Sequence, residues 1–314
     1  MSDSAFPAFT TPVPDTGYRW WYVDGLSDCG RYGVVVIAFI GSVFSPYYYA
    51  ARARGRGNPR EYCSINVALY GPHSNRWAMT ERDARSLQQE SARLRIGRSG
   101  LLWRGDELVI AVDERSAPLP RRVRGTIRLQ ARQLFDRPYA LDPHGRHTWQ
   151  PVAPLARVEV DFDRPRIAWQ GEGYLDSNAG QRPLERDFRR WDWCRLGSTA
   201  GVRICYDVVG RDDRHRSLAL LCSHDGRIVE QESAPRRALG RSGWRIHRET
   251  RCPGTARVAA TLEDTPFYAR SRLQVDDGSR TQPAMHESLS LERFTKPWVR
   301  LMLPFRMPRI TRPV

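Results

Sequence analysis

The chain is nearly empty of lysine and has none of the short motifs that announce most cofactor chemistry. Lys296 is the only lysine among 50 basic residues, so arginine carries the net charge of +15. A GC-rich genome accounts for that bias most simply, and the positive field still favours polyanions, either nucleic acid or an anionic membrane face. No zinc-finger spacing, helix-turn-helix pattern or RNP-type strand is present, which argues against a nucleic-acid partner. The six cysteines (Cys29, Cys63, Cys194, Cys205, Cys222 and Cys252) form no CxxC pair. They suit buried thiols in a reducing compartment rather than a disulfide ladder or zinc site. The seven histidines make no HExxH or HxH pattern; His144 and His147 are the closest pair, and Pro143 with Gly145 argues for a turn there instead of a metal-holding helix. There is no P-loop, no GxGxxG and no GxSxG, so nucleotide binding and serine acyl transfer lack support. No metal and no other cofactor is expected. The longest apolar run, Val34 to Phe44, is broken by Gly41 and Ser42 and falls well short of the ~20 residues of a spanning helix. The N-terminal residues Met1 to Pro7 show neither a basic n-region nor an apolar h-region, so a cytoplasmic chain is expected.

What is present is strand-forming sequence. Short runs rich in Val, Ile, Tyr and Trp, such as Tyr18–Val23, Gly33–Ile40, Ser64–Tyr70, Glu107–Val112, Val123–Leu129, Arg157–Phe162, Gly201–Val208 and Ser217–Cys222, alternate with Gly, Pro, Asp and Asn clusters. Asp83–Arg95 is the one helical candidate of the first half. The length of 314 residues exceeds what one core usually serves, so two domains are expected. Trp20-Trp21 before one strand and Trp191-Asp192-Trp193 before another suggest two similar halves. The Pro-rich segment Pro143–Pro154 is the candidate boundary, giving domains of residues 1–155 and 156–314. The predicted class is all-β.

With metals, nucleotides and a serine nucleophile set aside, the residues left to carry chemistry are carboxylates among aromatics. The stretch from Gly171 to Trp193 holds Tyr174, Asp176 and Asn178 between glycines and ends on Trp191-Asp192-Trp193. An acid between glycines and aromatic residues makes a poor solvated loop and a plausible floor for an apolar pocket. Structural readings compete at each position. Asp176 with Asn178 also suits an Asx-type turn, Asp264 in Asp264-Thr-Pro opens an ordinary turn, and Asp24 and Asp192 after strand tryptophans suit bonds to loop backbone or arginine.

Six blocks in order, Tyr18-Arg-Trp-Trp-Tyr-Val-Asp24, Ile40-Gly-Ser-Val-Phe-Ser-Pro-Tyr47, Asn66-Val-Ala-Leu-Tyr70, Pro118-Leu-Pro-Arg-Arg122, Gly173-Tyr-Leu-Asp-Ser-Asn178 and Asp264-Thr-Pro-Phe-Tyr268, resemble the carotenoid 1,2-hydratases, the hydroxyneurosporene synthases of phototrophic bacteria. The likeness runs from about Tyr18 to Leu303. It implies two lipocalin-like (calycin) antiparallel β-barrel or sandwich domains, and addition of water across the C1=C2 bond of an acyclic carotenoid such as neurosporene or lycopene. A lipocalin-like pair that carries a carotenoid without changing it is the alternative.

The resemblance implies Asp176, Tyr174 and Trp149 as the catalytic set: Asp176 as proton donor, Tyr174 on the same face of an extended segment, and Trp149 as an aromatic wall for a cation. A free aspartate has a pKa of ~3.9, so a donor at neutral pH needs burial among apolar neighbours to raise it. Trp191, Trp193, Asp264, Tyr268 and Trp21 are the expected substrate-binding residues, and water activation falls to Asn178 or to ionised Asp176. A C40 hydrocarbon has to be taken from a membrane. The stretch Phe294–Met307, which mixes apolar, aromatic and cationic residues, and the arginine-rich loop Ala51–Arg60 are the expected contacts with anionic headgroups. The expected location is peripheral, on the cytoplasmic side of the inner membrane.

Overall fold

Runs of β-branched and aromatic residues become strands, and the chain is built almost wholly from them. The structure, a computed structural model, describes residues 8–276, 278 and 280–311. It divides into two units, one reaching Pro183 and resuming at Leu301, the other spanning Leu184–Arg300.

The first unit contributes β1 (Tyr18–Ser27), β2 (Gly33–Ile40), β3 (Cys63–Tyr70), β4 (Arg76–Arg82), β5 (Leu87–Gln89), β6 (Arg93–Ile96), β7 (Ser99–Arg104), β8 (Glu107–Arg115), β9 (Arg122–Ala131), β10 (Tyr139–Ala140), β11 (His147–Arg164) and β12 (Arg166–Gly180), with helix α1 (Pro46–Ala53). The second contributes β13 (Phe188–Ser198), β14 (Gly201–Gly210), β15 (His215–Ser223), β16 (Ile228–Glu230), β17 (Arg236–Arg241), β18 (His247–Arg251), β19 (Ala256–Asp264), β20 (Tyr268–Asp276) and β21 (Thr281–Ser290), with short helices α2 (Leu184–Asp187) and α3 (Leu291–Phe294). Helix α4 (Pro297–Met302) follows, and β22 (Arg309–Ile310) returns to the first unit.

The first unit's sheet runs β22-β4-β3-β2-β1-β12-β11-β9-β8-β7-β6-β5, with β10 paired to β11. Its pairs are antiparallel apart from β22 on β4. β2 is buried along its whole length, which explains its unbroken Gly-Val-Val-Val-Ile-Ala-Phe-Ile. β8 instead alternates buried and open residues, as a strand with one wet face does. Val23, Val34, Val36, Ile65, Leu101, Trp103, Ile110, Val160 and Leu175 belong to one core. The second unit holds a sheet ordered β16-β15-β14-β13-β21-β20-β19 and the hairpin β17-β18. The expected all-β class holds. The tryptophan-bearing strands β1 and β13 are central in their sheets.

Four expectations need correction. The seam at 155/156 falls inside β11, which runs unbroken from His147 to Arg164; the division lies at Pro183 and Leu184. Pro143–Pro154 misled because Pro151 and Pro154 sit within that strand, where the register with β12 shifts between Pro151 and Ala153 and again between Ala153 and Ala156. Proline lacks an N–H for the ladder, and irregularities of this kind are where a strand tolerates it. Asp83–Arg95 is no helix: a single 3-10 turn at Ala84–Ser86 leads into β5 and β6, whose buried Leu94 and Ile96 flank an exposed Arg95, a period of two. Helix α1 takes in the first three residues, Ala51 to Ala53, of the arginine-rich loop expected at Ala51–Arg60. Ser45 caps it, its hydroxyl accepting from the Tyr47 and Tyr48 N–H groups, and Pro46 stands at the first position. Arg52, counted among the loop arginines, is buried over the Tyr48 ring at 4.4 Å. No disulfide forms, and Cys29, unlike the other five cysteines, is exposed.

The second unit buries a carboxylate that the expected substrate site does not use. Asp192 accepts from the Ser288 hydroxyl and from the Glu249 N–H at 3.3 Å, with Arg190 3.9 Å away. Burial pushes it up to about 7, against the downward pull of Ser288 and Arg190. An unfolded aspartate titrates near ~3.9, so between about pH 4 and 7 the native state holds a proton that the unfolded chain has lost. Asp192 therefore weakens the fold above pH 7, and that penalty fades as the pH falls towards 4. Neighbouring His286, held down at about 4 by burial, acts in the opposite sense over the acid range. Asp192→Asn should unfold at higher urea than the parent at pH 8, by up to on the order of 4 kcal/mol, and converge with it near pH 4. Parallel stability curves across that range would contradict the assignment.

Candidate active site

In a strand, side chains alternate between faces, and from Gly173 to Asn178 of β12 both faces are buried. Leu175 points into the core that also holds Trp21, Val23 and Val36. Tyr174, Asp176 and Asn178 take the other face. Register extends that face to the neighbours: Asp176 lies opposite Tyr22 of β1 and Pro151 of β11, Tyr174 opposite Asp24, and Asn178 between Trp20 and Trp149. Asp176 is thus central in the sheet, and only 3% of it is exposed.

Two neutral donors meet on one of its oxygens. Trp149 Nε1–H donates to Asp176 Oδ2 at 2.8 Å and the Tyr174 hydroxyl donates to the same atom at 2.9 Å. The Asn178 amide lies 3.5 Å from Oδ1. Trp149 and Tyr174 are fully buried. The Tyr22 ring stands edge-on to Tyr174 at 6.2 Å, and Tyr139 of β10 packs against Trp149 at 5.9 Å. With Oδ2 filled by two short hydrogen bonds, a proton on this carboxyl belongs on Oδ1. The rings of Trp149, Tyr174, Tyr22 and Tyr139 make its surroundings largely aromatic. Trp149 is a strand residue, not the loop residue its prolines suggested, and the regular pairing of Trp149 with Asn178 and of Pro151 with Asp176 brings its indole to Asp176.

Sequence reasoning passed over two groups on this face. Asp24, given a loop-bonding role above, is fully buried in mid-strand opposite Tyr174. His147, considered only as a metal ligand, is fully buried two residues before Trp149; its Nδ1 is 2.9 Å from the Tyr18 hydroxyl, and Tyr18 stacks on Trp20 at 5.0 Å. Fully buried polar residues beside strand tryptophans were the available signal, but burial cannot be seen before register is known. Among the described residues no three His, Cys, Asp or Glu side chains converge as a metal site.

The expected substrate-binding residues scatter. Trp21 belongs to the core, edge-on to Phe9 at 5.0 Å, and faces away from Asp176 because it follows Trp20 by one residue. In the second unit Trp191, Leu289 and Tyr268 form one row across β13, β21 and β20, with Trp193 beside them on the same face. There Arg270, fully buried, bonds Glu287 at 2.9 Å and Glu263 at 3.1 Å and lies over the Tyr268 ring. Asp264 points to the opposite face of that sheet, where its Oδ2 accepts the Trp244 N–H at 3.1 Å. The turn-holding role weighed for Asp264 is the one its geometry supports.

The family model of the carotenoid hydratase CrtC matches residues 36–313. An acyclic carotenoid 1,2-hydratase of Thiocapsa roseopersicina is 50% identical over 307 residues, covering 97% of this chain and 76% of that protein. One from Rubrivivax gelatinosus is 45% identical over 308 residues, covering 96% and 76%. The fold resembles the crystal structure of a Nitrosomonas europaea protein assigned as an AttH, with a TM-score of 0.60 at 14% identity over 87% of this chain and 92% of that one.

The crowding around Gly180 gives a direct check on this face. A Cβ there would stand 2.2 Å from the Tyr18 ring and 2.7 Å from His147 Nδ1. Gly180→Ala should lower stability by about 1–3 kcal/mol in urea unfolding and shift the His147 ring resonances. Unchanged stability and spectra would contradict the packing.

Proposed function

Because the chain belongs to the carotenoid hydratase family, we propose that Asp176 is the acid with which it adds water to the C1=C2 bond of an acyclic carotenoid. The function is carotenoid 1,2-hydration, a lyase-type reaction. One observation carries the choice of acid: a buried carboxyl whose Oδ2 holds both Trp149 and Tyr174.

Asp176 passes the proton on Oδ1 to C2, and the π electrons form the new C–H bond, leaving a tertiary cation at C1. The indole of Trp149 and the rings of Tyr174 and Tyr22 stabilise that cation; a desolvated cation–π contact contributes ~2 kcal/mol or more. Water adds to C1 and must lose a proton. Asp24 is assigned that proton, because it is buried on the same face, across from Tyr174. Diagonal neighbours on antiparallel strands stand ~7–8 Å apart, leaving room for one water between two carboxyls, as in enzymes that use an acid and a base on either side of a water. Return of the proton through the Tyr174 hydroxyl restores Asp176. The sum is addition of one water with no electron transferred, so no redox cofactor enters. Neurosporene and lycopene fit the substrate class, and because an apolar C40 chain has to be drawn from a bilayer, a peripheral location on the cytoplasmic side of the inner membrane is part of the proposal.

Asp176→Asn should cut turnover of lycopene by about 10³-fold or more while leaving carotenoid binding, followed by its visible spectrum, unchanged. Asp24→Asn should cut it by roughly 10–100-fold with KM little altered. Labelled water supplied to the parent enzyme should leave its oxygen in a monohydroxy product without added nucleotide or metal. Asp176→Asn turning over within tenfold of the parent would remove Asp176 from the acid role, and bound carotenoid with no labelled product from the parent would make the protein a carrier.

A further inference from the structure

We infer that the outward face of α4 and the turn after it, centred on Leu301 and Phe305, is the surface by which this protein seats on an anionic phospholipid bilayer. The segment is apolar on both sides. Val299, Leu303 and Met307, spaced by four, are buried and anchor it. Trp298, Leu301, Met302 and Phe305, spaced i, i+3, i+4 and i+7, face solvent on the other side, and Leu301 and Phe305 are 73% and 78% exposed. A surface helix normally turns charge to water on that stripe. Here the two most exposed large apolar side chains of the described residues stand one helical turn apart.

The surrounding charge fits a membrane better than an apolar protein partner. From Arg293 to Val314 the sequence carries Arg293, Lys296, Arg300, Arg306, Arg309 and Arg312 and no acid. Arg309 is committed to Glu81 and Arg293 donates to the Trp244 carbonyl. Lys296 is exposed, and Arg300 and Arg306 are half-exposed, with Arg306 lying over the Trp77 ring at 4.3 Å. A short apolar wedge in a stretch of sequence that carries cations and no acid has the composition of an interfacial anchor. From Leu301 on, the segment belongs to the first unit, where Arg309 pairs with Glu81 and β22 lies along β4. The wedge is therefore presented on a fixed base.

The use of such an anchor rests on the hydratase reading, since an insoluble hydrocarbon substrate lies in the bilayer; the surface itself does not. The test is co-sedimentation with vesicles of equal parts phosphatidylcholine and phosphatidylglycerol, beside phosphatidylcholine alone. The parent protein should bind the anionic vesicles, and bind them less in high salt. Leu301→Ser with Phe305→Ser should weaken that binding about tenfold or more, and Lys296→Glu should weaken it less. All replaced side chains are exposed, so thermal unfolding should be unchanged, and turnover of carotenoid dispersed in detergent should match the parent. Equal vesicle binding by parent and double variant would overturn the proposal, as would a parent that ignores both vesicles. A concentration-dependent dimer in lipid-free sedimentation, dissolved by the double variant, would give the face to a second copy instead. If neither version hydrates dispersed carotenoid, the hydratase reading fails, while the vesicle comparison still decides the docking surface.

Discussion

The structure depends on the two-residue period of β12 at a place where neither face of the sheet is wet. A strand buried on both sides is normally apolar throughout, as β2 is. β12 departs from that rule most on the face with Tyr174, Asp176 and Asn178, while Leu175 joins the core behind it and Ser177 is the buried polar residue of that other face. A carboxyl in that position is costly unless it is hydrogen-bonded. Trp149 and Tyr174 meet that need with neutral donors, so no counter-charge is fixed against Asp176 by either of them. A buried ion pair would hold the carboxyl ionised, whereas neutral partners leave it able to carry a proton.

The contrast with Arg270 makes the point. In the second unit Glu263 and Glu287 both pair with one buried guanidinium, an ionic arrangement in which a fixed positive charge faces each carboxylate. Asp192 lies between the two cases, bonded mainly by Ser288 and a backbone N–H, and burial dominates its titration. These three carboxylate environments thus differ by the kind of partner supplied, and of the three only the Asp176 face joins a carboxyl bonded by two neutral donors to a cluster of aromatic rings.

Much of this was legible in the sequence, for identifiable reasons. Gly33–Ile40 matched its strand to the residue because a β-branched run bounded by glycines has few other options. Asp176 stood out through its glycine and aromatic neighbours, and Tyr174 at i−2 had to share its face in any extended segment. Register was not legible. Trp20 and Trp21 are adjacent, and nothing in the sequence says which of them turns to the core. The same one-residue choice separates Asp264 from the face of Tyr268. Trp149 was hidden by prolines that signal a loop unless the register shifts beside it are known. Helix α1 was announced by Ser45-Pro46, but the arginines after it read as a solvated loop.

The central claim is that the Asp176 carboxyl carries the proton in the resting enzyme. Infrared difference spectroscopy between the parent and Asp176→Asn at neutral pH tests it most directly, with Asp192→Asn subtracted separately because burial pushes that aspartate up to about 7. The account predicts a carbonyl stretch of a protonated carboxylic acid, hydrogen-bonded and shifted in deuterated water, that is lost with Asp176. Loss of carboxylate bands alone would contradict it.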